Sequence, residues 1–342
     1  MISVNAPDES GFQSRDFQPA RWLPNAHWQT IYAATLAPCP GCALHRTRWE
    51  TPDGDFIDLD WLRPPHGVAM RAPLVVLFHG LEGSSGSHYA RMLVRALSTS
   101  HWQAVVVHFR GCSGEPNRLA RAYHSGDAAE IDWVLARLRA QHRNAPLLAI
   151  GVSLGGNALL KWLGEYRDNS LATLDAAAAV SAPLDLVAAG DVLDRGFNRA
   201  VYTRNFLRTL KAKSLVKLEH FPGLFDRAAA MRATTLRAFD DAVTAPLHGF
   251  RDAEDYWLRA SSKPWLRHIR VPTLILNALD DPFLPAWALP HAHEVSSAVR
   301  LDFTPHGGHV GFVSGRFPGS LAWMPSHVLR FFSALGGCET MA

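Results

Sequence analysis

Short apolar runs alternate with segments of helical periodicity along most of this 342-residue chain. Such alternation predicts βαβ units and a mainly parallel sheet. Two earlier runs, 44–50 and 56–62, flank Asp53-Gly54 and predict a hairpin. The other predicted strands are 74–79, 104–109, 147–150, 176–180, 273–277 and 299–303, and the predicted helices are 88–97, 126–139, 154–166 and 327–335.

The segment 183–269 breaks this alternation, because its pattern is helical and contains no convincing buried strand. An insertion after the strand that ends near Ser181 would project over the carboxyl edge of the sheet. We therefore expect a helical cap over 183–269, a core over 44–182 and 270–342, and an N-terminal extension over 1–43. Within the extension, Trp22, Trp28, Ile31 and Tyr32 are expected to pack against the core.

Composition is that of an ordinary globular protein, with 48% hydrophobic and 19% charged residues. No apolar run is long enough for a membrane span and the first residues do not resemble a signal peptide, so a soluble, cytoplasmic protein is expected. Four cysteines do not suggest a disulfide scaffold. Cys39 and Cys42 lack the partners of a zinc site, and neither a metal nor a cofactor is expected.

A net charge of +3 is too small to predict nucleic acid as a partner. One segment of the predicted cap, 195–217, is nevertheless basic and amphipathic, with seven basic residues and no acidic one. It fits contact with anionic lipid or an acidic substrate, and it also fits a solvated helix face.

The apolar run 147–150 leads into Gly151-Val152-Ser153-Leu154-Gly155 and then into a helical pattern. A strand, a one-residue corner and a helix are the context of a nucleophile elbow, whose glycines allow close backbone passage. Ser153 is therefore the candidate nucleophile. A serine nucleophile needs a histidine base, and the histidine needs a carboxylate to orient it.

The order Ser, acid, His continues downstream of the elbow. Asp280 and Asp281 follow the predicted strand 273–277, and Asp281 is preferred as the acid, with Asp280 as the alternative. After the last predicted strand, a glycine-rich loop carries His306 and His309. His309 is the preferred base because the Gly-Gly turn directly precedes it.

A developing oxyanion needs two N–H donors aimed at it. The backbone N–H of Leu154, directly after the nucleophile, is one candidate. The other is the backbone N–H of Leu81, in the turn His79-Gly80-Leu81-Glu82-Gly83 after a predicted strand.

Together these residues resemble the YheT-like family of α/β hydrolases, which is related to mammalian abhydrolase-domain esterases and phospholipases. The resemblance implies an eight-stranded α/β hydrolase fold, a triad of Ser153, Asp281 and His309, and carboxylic esters as substrates. Its motifs are His27-Trp28-Gln29-Thr30, Phe78 to Gly83, Phe109-Arg110-Gly111-Cys112-Ser113-Gly114, Tyr123 to Asp127, Gly151 to Gly156, Phe239-Asp240-Asp241, Asp280 to Phe283 and Gly307 to Phe312.

The leading hypothesis is a metal-free serine hydrolase that cleaves short- to medium-chain acyl esters through an acyl-enzyme. Acyl transfer to an alcohol on the same fold is one alternative. A lipid-binding module without catalysis is the other.

Overall fold

One mostly parallel sheet of eight strands forms the centre of the computed structural model, which describes residues 16–62 and 72–335. The strand order is β1-β2-β4-β3-β5-β6-β7-β8; β2 pairs antiparallel with β1 and β4, and the other neighbours are parallel. Each predicted strand is present within two residues of its expected bounds. The strands are β1 Leu44–Glu50, β2 Phe56–Leu62, β3 Leu74–Phe78, β4 Gln103–Val107, β5 Leu147–Val152, β6 Ala176–Val180, β7 Thr273–Ala278 and β8 Val299–Thr304.

Helices cover both faces of the sheet, which explains why β3, β5, β6 and β7 are buried along their whole length. The predicted helix 154–166 continues to Thr173, and Arg167, with φ 43°, interrupts its regular geometry close to the predicted end. The helices of the core are α2 His88–Thr99, α3 Ala128–Gln141, α4 Leu154–Thr173 and α12 Trp323–Leu335.

The segment between β6 and β7 is helical and forms its own apolar cluster, which includes Tyr202, Phe239 and Trp257. Two π-helical segments, Arg199–Thr203 and Asp240–Thr244, and the 3-10 helix Lys263–His268 also belong to it. We call this segment the cap; its boundaries as a domain remain a prediction. Its α-helices are α5 Leu186–Leu193, α6 Gly196–Asn198, α7 Arg204–His220, α8 Arg227–Arg232, α9 Leu236–Phe239, α10 Ala245–His248 and α11 Ala253–Ala260.

The described part of the N-terminal extension contains helix α1, Ala26–Thr35. Tyr32 is buried on it, as expected, but the prediction that Trp28 packs against the core is wrong, because Trp28 is 53% exposed. Trp28 lies in the first turn of α1, whose inward face is formed by other residues, among them Gln29 and Thr30. Residues 1–15 of the predicted extension, and 63–71 and 336–342 of the predicted core, lie outside the described residues.

No helix within 16–62 and 72–335 is both long and apolar enough to cross a bilayer. Cys39 and Cys42 have free thiols, and the Cys39 thiol donates a hydrogen bond to the His88 carbonyl over 3.2 Å. In the basic cap segment, Lys211, Lys213 and Lys217 donate hydrogen bonds to acceptors within the protein. Contact of this segment with lipid remains a prediction.

Candidate active site

Ser153 lies at the corner between β5 and α4, with φ 53° and ψ −121°. A non-glycine residue in this region costs on the order of 1–3 kcal/mol and persists only where the surroundings enforce it. The surroundings are glycines in close contact: a Cβ on Gly155 would lie 2.4 Å from the Phe78 carbonyl oxygen, and one on Gly151 would lie 2.5 Å from the Gly155 carbonyl oxygen. The G-x-S-x-G spacing is thus a steric requirement of this corner.

A hydrogen-bonded chain joins Ser153, His309 and Asp281 at the carboxyl edge of the sheet. The Ser153 hydroxyl lies 2.9 Å from His309 Nε2. On the other side of the ring, His309 Nδ1 lies 2.9 Å and 3.1 Å from the two carboxylate oxygens of Asp281. Nδ1–H therefore donates to Asp281, which leaves Nε2 free to accept the serine proton. The ring of Phe283 stacks on the His309 ring at 3.9 Å between centroids.

The neighbouring candidates, Asp280 and His306, form a separate pair. His306 Nδ1 lies 3.1 Å from Asp280 Oδ2, and the Gly308 N–H donates to Asp280 Oδ1 over 2.9 Å. The His306 side chain is mostly exposed, whereas those of Asp281 and His309 are buried. Asp280 therefore shapes the loop before His309 and does not touch the His309 ring.

Helix α1 holds the loop of His309 in place. The Thr30 hydroxyl accepts the backbone N–H of His309 over 2.9 Å. The Gln29 amide makes two hydrogen bonds to the backbone of Val313. A Cβ on Gly308 would lie 2.5 Å from the Ala26 carbonyl oxygen, so the loop and the helix are in direct contact. These contacts give the His27 to Thr30 motif a structural role about 280 residues away along the chain.

The turn 80–83 leaves one backbone donor available. The Gly80 N–H donates to the Tyr89 hydroxyl, the Glu82 N–H to the Tyr123 hydroxyl, and the Gly83 N–H to the Gly80 carbonyl. The Leu81 N–H donates to no acceptor within the described residues. Gly80 packs against Ser153, since a Cβ there would lie 3.1 Å from the serine Cβ. The Leu154 N–H, in the first turn of α4, likewise has no partner within its helix.

His79, which opens this turn, is a structural residue. Its ring is fully buried, and Nδ1–H donates to the Gly80 carbonyl while Nε2 accepts the Phe109 N–H. Burial lowers the pKa of His79 to about 3, so the ring is neutral. It therefore ties the turn after β3 to the loop after β4.

A cavity of about 1020 Å³ lies between Ser153 and the cap. Aliphatic and aromatic side chains from the cap make up much of its wall. Arg110, which also borders the cavity, is neutralised by Glu130, Asp53 and Asp55. The Arg110 to Gly114 loop thus has a structural role through its arginine. Apolar residues of the wall include Leu186, Leu193, Phe206, Leu210, Phe225, Val243 and Trp257.

Comparison with known proteins identifies the family of this chain. A family model described as "alpha/beta hydrolase fold" matches residues 73–315, well over half of the chain. The chain belongs to the α/β hydrolase family. Among the relatives of this hydrolase is "Putative esterase YheT" of Escherichia coli (strain K12), 41% identical over 331 residues and 96% of each chain. The predicted fold and the predicted family resemblance are confirmed.

Other relatives of the hydrolase carry related names. "Phospholipase ABHD3" of Mus musculus is 30% identical over 93% of this chain and 78% of the relative. Among solved structures, the Pyrococcus furiosus esterase Pf2001 superposes with a TM-score of 0.55 at 14% identity, covering 88% of this chain and 98% of the esterase. The structural likeness supports the fold alone, and the sequence relatives place the hydrolase among esterase- and lipase-type proteins.

Sequence reasoning named Ser153, Asp281 and His309 as candidates but did not identify the side chains that hold them in position. Thr30 and Phe283 lie within two motifs of the family resemblance, yet neither motif indicates which atoms these residues contact. Lys213 was grouped with the basic cap residues, although its ammonium bonds to Glu82, beside Leu81. The i, i+4 spacing of Lys213 and Lys217 on α7 was the only signal that both face the same way.

Proposed function

We propose that this hydrolase cleaves carboxylic acyl esters of short to medium chain length with Ser153 as nucleophile, His309 as general base and acid, and Asp281 as the carboxylate that orients His309. The hydrogen-bonded chain of these three side chains at the mouth of an apolar cavity carries the proposal. Hydrolase activity on esters is the function that its esterase- and lipase-type relatives support.

In the proposed mechanism, Ser153 Oγ attacks the ester carbonyl while His309 Nε2 takes its proton. The backbone N–H groups of Leu81 and Leu154 would stabilise the oxyanion of the tetrahedral intermediate. His309 then gives the proton to the leaving alcohol, and the acyl group remains on Ser153. Water, deprotonated by His309, attacks the acyl-enzyme, and the carboxylic acid leaves as Ser153 regains its proton.

The cavity favours an uncharged, apolar acyl group. Its volume is at the upper end of the range usual for small-molecule sites, roughly 300–1,000 Å³. The lysine and arginine side chains that border it are all bonded to protein acceptors, so they offer little to an anion. These cations are Arg110, Arg118, Lys213 and Lys217.

Hydrolysis of p-nitrophenyl esters from acetyl to palmitoyl, with wild type and Ser153→Ala, tests the proposal. Turnover should be greatest for short to medium chains and should fall by about a thousandfold or more in the variant. Ser326→Ala, on the exposed side of α12, is the control and should keep wild-type activity. Turnover by Ser153→Ala at the wild-type rate, or a folded wild type that is inactive on every ester, would contradict the proposal.

A further inference from the structure

Glu82 lies next to the proposed oxyanion donor Leu81 and has a strained backbone, with φ 56°. A non-glycine residue in this left-handed region needs outside contacts to hold it. Two side chains supply them. The Tyr123 hydroxyl accepts the Glu82 N–H over 2.9 Å and donates to the Glu82 carboxylate over 2.8 Å.

The second side chain is Lys213, and it comes from the cap. Its ammonium donates to the same Glu82 carboxylate oxygen over 2.8 Å and also lies 3.4 Å from the Cys112 sulfur. The Glu82 side chain is only 8% exposed, whereas that of Lys213 is 41% exposed. A buried carboxylate that lost this cation would keep a single hydroxyl donor, a costly arrangement in a site of low polarity.

Lys213 stays positively charged in this setting. Burial opposes its charge, but the Glu82 carboxylate favours it, and the pKa of the ammonium lies above its ordinary value. The contact is thus an ion pair between helix α7 of the cap and the turn 80–83 of the core.

We propose that Lys213 is a positioning residue for the oxyanion hole. By holding the Glu82 carboxylate it fixes the turn 80–83, so that the Leu81 N–H faces the ester only while helix α7 of the cap contacts this turn. The proposal rests on the proposed function and adds a coupling between the cap and the catalytic step. The cap then acts on the rate of the chemical step as well as on substrate binding.

Steady-state kinetics of Lys213→Met test this coupling, because methionine keeps much of the apolar stem and removes the ammonium. We expect kcat to fall by about tenfold, less than the roughly hundredfold cost of deleting an oxyanion donor, with KM changed by less than about threefold. An alkyl trifluoromethyl ketone, whose serine adduct carries an oxyanion, should bind about tenfold more weakly. Lys213→Arg should restore most of both losses.

Two variants of the same helix separate positioning from general stability of the cap. Lys211→Met removes a hydrogen bond to the Met231 carbonyl within the cap and should leave kcat at the wild-type value. Lys217→Met removes a contact between the cap and Asn117 of the core that does not touch the turn 80–83, so its effect should be on KM. Thermal unfolding verifies that each variant is folded.

The outcomes distinguish this inference from the proposed function. An active wild type with an unchanged kcat in Lys213→Met, or with an equal fall of kcat in Lys217→Met, would overturn the positioning role alone. A loss of kcat with unchanged binding of the trifluoromethyl ketone would also overturn it. A wild type inactive on every ester would overturn the proposed function, and this inference with it.

Discussion

The loop of His309 and the turn 80–83 meet at the same edge of the sheet, but different contacts hold them. The His309 loop is held by close packing and by short side chains of helix α1: Gly308 touches the helix backbone, and the Thr30 hydroxyl and the Gln29 amide bond to the loop backbone. The turn 80–83 is held mainly by the polar ends of long side chains. These are Tyr89, Tyr123 and Lys213, the last from the cap.

This difference indicates how each half of the site responds to change. Close backbone contacts tolerate little added volume, so the position of His309 depends on steric fit with the N-terminal helix. The turn 80–83 depends in addition on the charge of Lys213 and on the contact of that side chain with the core. We therefore expect added volume to have its larger effect on the His309 side, and loss of the cap cation to act on the oxyanion side alone.

The largest effect is expected for Asp281→Asn. An asparagine amide can donate to His309 Nδ1 and favour the wrong tautomer, so kcat should fall by on the order of a thousandfold or more. Asp280→Asn is the matched control, because its amide oxygen can still accept the Gly308 N–H, and kcat should stay within about tenfold of wild type. Steady-state kinetics on one ester decide the matter, and a greater loss in Asp280→Asn would refute the assignment of the acid.

Gly308→Ala should have the next largest effect. The added Cβ would lie 2.5 Å from the Ala26 carbonyl oxygen and 2.6 Å from the Thr30 hydroxyl, at a φ of +61°. We expect kcat to fall by at least about tenfold and the melting temperature to fall as well. Gly315→Ala, at φ +79° with nothing within 4 Å, adds only backbone strain of about 1–2 kcal/mol. Equal losses of kcat in the two variants would show that steric contact with α1 does not position His309.

Thr30→Val should have a smaller effect on the same loop. It leaves the buried His309 N–H without its acceptor, at a cost of about 1–3 kcal/mol in the free energy of unfolding and a several-fold loss of kcat. Thr35→Val, one turn later on the exposed face of α1, should change neither quantity by much. Chemical denaturation and kinetics measure both, and identical behaviour of the two variants would rule out a role for Thr30.

The smallest effect is expected for Tyr123→Phe, on the oxyanion side. Phenylalanine keeps the ring and removes the hydroxyl that contacts Glu82 twice, so kcat should fall about fivefold while Lys213 still holds the carboxylate. Tyr166→Phe is the control, since its hydroxyl contacts no acceptor within the described residues. A loss confined to KM would indicate that Tyr123 only lines the cavity.

The sheet and the proposed triad could be predicted because their signals are local. An apolar run followed by Gly151 to Gly155 indicates a strand and its corner, and each of Asp281 and His309 follows a strand directly. The contacts of Thr30 with His309 and of Lys213 with Glu82 could not be predicted, because they join distant segments. The sequence favoured Asp281 over Asp280, but it could not show that these adjacent side chains point to different histidines.

The prediction for Trp28 was wrong because it relied on the residue type and not on the position of the residue in helix α1. Trp28 was expected inside because tryptophan is large and apolar, but it lies in the first turn of α1 on the solvent side. Gln29 and Thr30, polar and next in sequence, are buried because their side chains bond to the backbone of the His309 loop. Burial of these polar side chains follows from the partners they find, which the sequence does not state.

The role of Ser153 as the nucleophile is the central claim, and covalent labelling tests it most directly. Reaction with an alkyl fluorophosphonate, followed by mass spectrometry of the intact protein and of its peptides, should give one adduct per chain on Ser153 and loss of esterase activity in proportion. Ser153→Ala should give none. An adduct on another residue that tracks the loss of activity, or an unlabelled Ser153 in a protein that hydrolyses esters, would contradict the account.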